Sequence, residues 1–188
     1  MCSCKLFEKI AEDTHVYRHV CLDKFPIVSW KPLTEKQKTF LNKCQECQNP
    51  ELMYREAVRN YFTEKRLGSS YKCLQRAVKL GHLGALYVTC IILLFSGDDE
   101  LIKMGVKLLG RMKKSRKLRS KVRVCREKLI KNLSDIWVKN RDLRRPICCT
   151  VQDDHKRKTS WEEEENIECE ACSVDSEIKA ICGYIHIY

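Results

Sequence analysis

Apolar residues over the first 140 positions of the chain recur every three or four residues, the period of an α-helix with one buried face. After residue 50 the stripe is Met53, Ala57, Val58, Tyr61 and Phe62, which assigns Arg55, Glu56, Arg59 and Glu64 to solvent. Asn49, Pro50 and Glu51 supply the start of this helix: a capping side chain, a proline where no N–H is needed, and an acid at the positive end of the helix dipole. Gly68-Ser69-Ser70 is expected to break it, and a second helix then carries Leu74, Ala77 and Val78 to a glycine stop at Gly81. Ala85 to Phe95 is almost wholly apolar. It is far shorter than the roughly 20 residues a membrane span needs, so the pattern predicts a helix buried on all sides. Ser96 to Glu100 ends that helix and opens the next with a cluster of acids.

Flanking segments follow the same logic. Thr34 caps a helix reaching about Gln48, with Phe40, Leu41, Cys44 and Cys47 inward. Leu118, Val122, Cys125, Leu129, Leu133, Ile136 and Trp137 define a long amphipathic helix near the other end. Leu6, Phe7, Ile10, Val16, Val20 and Leu22 have the spacing of two short amphipathic helices. Pro26, Trp30 and Pro32 mark an extended connector over residues 26–33, because each proline disfavours a helical residue before it.

Within this string of helices one unit occurs twice. Tyr54 and Phe62 recur as Tyr87 and Phe95 at an offset of 33, and the apolar pair Ala77 and Val78 aligns with Leu108 and Leu109 at an offset of 31. An offset near 33 is a helical-repeat period, although two unrelated hairpins would space their aromatics in a similar way. Both readings give antiparallel helices.

The stretch CLQRAVKLGHLGALY, residues 73 to 87, resembles the junction of the Sel-one-like class of tetratricopeptide repeats. Ala77, Gly81, His82, Ala85 and Tyr87 match that pattern of small residues, Gly-His and an aromatic. Tyr54, Ala57, Phe62, Ala77, Gly81, Ala85, Tyr87 and Phe95 are thus the candidate repeat-packing residues, and the place of His82 in a helix-helix turn makes its role structural. Residues 3 to 26 are similar to the C-terminal half of an F-box, as found in a plant family that joins an F-box to this kind of repeat. The first F-box helix has no counterpart, since Met1 falls in what would be the middle of the box. The resemblance implies that Leu6, Phe7 and Ile10 lie on the surface that docks the Skp-type adaptor of cullin ubiquitin ligases. The missing helix argues against adaptor binding by this chain.

Composition narrows the functional classes. At 188 residues the chain suits one domain with an appendage. No charged-then-apolar leader opens it, so its 13 cysteines are expected as reduced thiols inside the cell, in cytoplasm or nucleus. The net charge of +11 is unevenly spread: residues 113 to 145 hold fourteen basic and three acidic side chains, and the last 43 residues are net acidic. Arg119, Lys121, Arg123 and Arg126 make a basic face on the long helix. The apolar stripe beneath them makes that face its solvated side, and no aromatic interleaves the cations before Trp137, so nucleic acid is the lesser alternative partner. The acids at Asp153, Asp154 and 162–165 are placed to screen these charges.

The tail from 141 to 188 reads as irregular and cysteine-rich. Its candidate metal site is Cys169, Cys172, Cys182 and His186, with Cys148, Cys149 and His155 upstream, a donor set that suits zinc. A complete zinc module shows two clearly matched pairs, and these four do not, so the expected cofactor is none. A phosphate loop, a nucleophile elbow, an H-E-x-x-H helix and a dinucleotide turn are all missing from the sequence. The expectation is therefore an all-α protein: tetratricopeptide-like helical hairpins over residues 34–140, capped by a basic amphipathic helix. By resemblance it is the non-enzymatic substrate-recognition part of an F-box protein, binding a protein partner and no membrane. The alternative is a basic nucleic-acid-associated protein, with zinc as a stabiliser.

Overall fold

The computed structural model describes residues 13–29, 31–64, 66–136, 138, 143–146 and 169–185, and every regular element among them is a helix. The elements are α1 (Thr14–His19), α2 (Glu35–Glu46), α3 (Pro50–Glu64), α4 (Leu67–Lys79), α5 (Leu83–Leu94), α6 (Asp99–Lys114), α7 (Arg116–Asp135) and α8 (Glu170–Ile185). Helices α3 with α4 and α5 with α6 form two tightly packed pairs, and α4 packs on α5 to join them. Helix α7 lies against α5 and α6, and α8 lies against α6 and α7.

Local chemistry fixes the ends of these helices. Thr34 and Gln37 form a reciprocal capping box at α2, and Asp98 Oδ1 accepts from Leu101 N at 2.9 Å to open α6. Asn49 caps α3 through Oδ1, which accepts from Glu51 N at 2.9 Å, while its amide nitrogen donates to the Tyr17 and Val20 carbonyls at 2.8 and 3.2 Å. One side chain thus opens α3 and ties down the end of α1. Gly81 closes the α4–α5 turn at φ +82°, a left-handed conformation that favours glycine.

Three local expectations need correction. Gly68, Ser69 and Ser70 lie inside the first turn of α4, not at the break itself, since α3 ends at Glu64 and α4 starts at Leu67; the Ser69 and Ser70 hydroxyls bond back to the Arg66 carbonyl at 3.1 and 2.8 Å. Arg55 is buried: its guanidinium donates to the Leu22 carbonyl at 2.9 Å and to that of Phe25, so the loop before α2 covers this side of α3. The tail from residue 169 is no irregular appendage. Glu170 to Ile185 form a helix whose Val174, Ile178, Ile181, Cys182 and Ile185 enter the same buried cluster as Tyr54, Phe62, Tyr87 and Leu129. Residues 147–168, with the acids at 153, 154 and 162–165, lie outside the described part.

One core therefore runs from α3 to α8. Tyr54, Phe62, Leu74, Tyr87, Ile91, Leu109, Leu129 and Ile178 are each 0 % exposed within it. Burial on that scale, at about 25 cal/mol per Å² of apolar surface, is the main force holding these helices together.

Candidate protein-interaction face

The repeat-packing residues are interior. Tyr54, Ala57, Phe62, Ala77, Ala85, Tyr87 and Phe95 all belong to the core, and Gly81 sits in the turn, so none offers a side chain to a partner. Two buried carboxylates organise the polar groups around them.

Glu51 is the first. Its carboxylate meets Arg55 Nε at 2.6 Å, His82 Nε2 at 2.9 Å and Lys128 Nζ at 2.9 Å, joining α3, the α4–α5 turn and α7. Lys128 also reaches Asp23 at 3.3 Å. His82 Nδ1 accepts from Ala85 N at 2.9 Å and so caps α5, which fixes the imidazole between a helix start and a carboxylate. Burial alone would push the Glu51 carboxyl up, yet hydrogen bonds from His82, Lys128 and Arg55 bring it down to about 2 from 4.5. A carboxyl depressed in the folded state contributes stability above its unfolded value and loses it as pH falls toward the folded one. Stability is therefore expected to fall by roughly 2–3 kcal/mol between pH 4.5 and 2 through this group. Urea unfolding of Glu51→Gln across that range should show a lower and flatter profile, and an unchanged slope would refute the assignment.

Glu177 is the second. Its Oε1 lies 3.0 Å from Arg126 Nη1 and 3.2 Å from Lys113 Nζ, and its Oε2 accepts from the Tyr87 hydroxyl at 3.0 Å. Lys113 Nζ donates in addition to the Ser173 carbonyl at 2.8 Å. Arg126, expected on the solvated face, is 7 % exposed for this reason: α8 covers it and supplies its counter-charge. Burial first, and then Glu177, raise the Tyr87 hydroxyl well above its ordinary value and keep it a neutral donor.

A cleft of about 70 Å³ opens beside this cluster between α6, α7 and α8. Its walls include Lys113, Lys114, Arg119, Arg123, Arg126 and Glu170. Gly110 lets α8 come close, because a Cβ there would meet Glu170 Cβ at 3.2 Å. Of the basic face, Arg119 and Arg123 line the cleft and Lys121 is exposed on α7 outside it.

The other candidate sites divide differently. Leu6, Phe7 and Ile10 lie outside the described residues. Cys169 precedes α8, Cys172 is in its first turn and Cys182 is buried ten residues on, while His186 is outside the described part. Among the described residues no group of three or more His, Cys, Asp or Glu side chains is placed to hold a metal ion. Burial raises the thiols of Cys90 and Cys125 to about 12 and about 11, so both act as small apolar fillers. Among the described residues no helix is long and apolar enough to cross a membrane.

Lys113, Glu177 and Gly110 did not stand out in the sequence as site residues. The signal for Glu177 was present: it interrupts the apolar spacing of Val174, Ile178, Ile181 and Ile185 with one acid on the inward face. A lone charge in such a stripe calls for a buried partner.

A model of the plant tetratrico peptide repeats matches residues 22–134, more than half of the chain. The chain belongs to this family. The matched span ends at α7, so α8 is an addition that packs onto the repeat helices from outside it. A protein of Arabidopsis thaliana named "Putative F-box protein" is 28 % identical over 106 residues, which is 56 % of this chain. The chain spans about a third (34 %) of that relative's length. No solved structure matches the chain. Tetratricopeptide-like repeats are generally non-enzymatic scaffolds that bind other proteins, and stacked helix pairs suit that work because they expose long helix faces.

Proposed function

We propose that the chain is the partner-recognition part of an F-box-type protein, delivering a bound protein to a cullin ubiquitin ligase. The observation that carries this reading is the continuous repeat core. It consumes the repeat-defining aromatics entirely in packing and leaves a rigid set of helix faces as the working surface. The likeness of residues 3 to 26 to the end of an F-box and the F-box name of the Arabidopsis relative support the ligase assignment. In this reading Leu6, Phe7 and Ile10 face the adaptor, and the helices from α3 onward face the substrate.

Co-purification with a Skp-type adaptor tests it, using this chain and a version carrying a complete F-box at its N-terminus. The version with the complete F-box is expected to retain the adaptor. Loss of the adaptor by both versions would remove the ligase assignment.

A further inference from the structure

We propose that the cleft between α6, α7 and α8 is a docking site for an acidic, Asp- and Glu-rich segment of a partner protein. This rests on the partner-recognition reading and names the class of partner.

Residues 111 to 126 hold nine cations and no acid. The structure neutralises only the inner end of this run. Glu177 meets Lys113 and Arg126, and Glu170 meets Lys114 at 2.7 Å. The cleft thus already takes carboxylates from one helix, α8. Its outer end, formed by Arg119 and Arg123, has no carboxylate bonded to it among the described residues. Arg119 is also held in place, because its Nε donates to the Lys113 carbonyl at 3.1 Å. A guanidinium fixed in this way loses little freedom when an anion binds.

The start of α7 adds a separate observation. Ser115 makes no side-chain capping bond there, and no acid occupies the first turn, where Arg116 and Lys117 stand instead. Cations at the positive end of a helix dipole are unfavourable. The same chain solves this problem at α6, where Asp98 caps the helix and Asp99 and Glu100 follow. The α6–α7 corner is therefore left with excess positive potential beside a cleft lined by arginines, and an incoming anion relieves both.

The lining favours a peptide over a nucleic acid. No aromatic side chain lines the cleft among the described residues, so it offers no platform on which a base could stack. The anions this cleft already holds, Glu170 and Glu177, are side-chain carboxylates, the groups an acidic peptide would bring.

Fluorescence anisotropy on the full chain tests the proposal, with a labelled twelve-residue peptide of Asp and Glu and a Gly-Ser peptide of equal length as control. The acidic peptide is expected to bind, more weakly at higher salt. Its affinity should fall about tenfold in Arg119→Gln/Arg123→Gln and be unchanged in Lys72→Gln/Lys79→Gln on α4. Arg123→Glu alone, which removes no hydrogen bond among the described residues, should show the same direction if the double variant folds poorly. Absence of binding at low salt, or equal loss in the α4 variant, would overturn the proposal. Tighter binding of an oligonucleotide of equal charge, weakened by the same arginine changes, would overturn it in favour of nucleic acid. A null result with adaptor capture intact removes the acidic-segment assignment alone. Peptide binding without adaptor capture removes the ligase assignment alone.

Discussion

Replacing Glu177 with alanine is expected to destabilise the protein by about 3–5 kcal/mol, because it removes the carboxylate that meets the buried Lys113 and Arg126. Glu177 is 1 % exposed, and the side chains of Lys113 and Arg126 are 10 % and 9 % exposed. Against a typical total of about 5–15 kcal/mol, that loss is severe and should lower Tm by roughly 10 °C. The hydrogen bond from Tyr87 is the smaller part, so Tyr87→Phe should cost only about 1 kcal/mol. A triple replacement of Lys113, Arg126 and Glu177 by methionine, methionine and leucine should regain most of the stability, because no charge is then left buried alone. Thermal unfolding of the three variants separates these cases. A Glu177→Ala protein within 1 kcal/mol of the parent would show that the cluster does not hold α8.

The second large effect is expected at Phe62. It is 0 % exposed and packs edge-on to Tyr61 with ring centroids 4.9 Å apart. Truncation to alanine removes the buried ring and leaves a void that well-packed helices fill only partly, at a cost of about 3–5 kcal/mol. Phe62 belongs to the same cluster as Leu109, Leu129 and Ile178 on α6, α7 and α8. Denaturant unfolding of Phe62→Ala should therefore keep a single transition at a lower midpoint. Loss of α3 and α4 alone, with the other helices still folded, would divide the core into separate units.

Much of this architecture was legible along the chain. The apolar spacing, Asn49, Thr34, Asp98 and the Gly81-His82 turn are short-range features, and they determine where helices start and stop within a few residues. The burial of Arg55 and Arg126 was not legible. Each is spaced as a solvent-facing position on its own helix, and each is covered by a partner far along the chain: the Leu22 carbonyl for Arg55, beside its local pair with Glu51, and Glu177 for Arg126. Helical period gives the side of one helix and says nothing of what covers the other side. Helix α8 was hidden for a related reason. Its cysteines have the spacing of metal donors, and they share the segment with the apolar spacing of Val174, Ile178, Ile181 and Ile185.

The place of α8 also changes how the repeat stands by itself. Two helix pairs are fewer than the roughly three repeats that bury a continuous core. Helices α7 and α8 supply the additional layer, and the buried charge cluster is where that layer is locked.

Native-state hydrogen exchange, followed helix by helix, tests most directly whether the repeats and α8 are one body. The slowest amides of α3, α5, α6, α7 and α8 are expected to open with one common free energy, equal to that of global unfolding. Amides of α8 that all exchange several kcal/mol below the rest, while α3 to α7 stay protected, would contradict it.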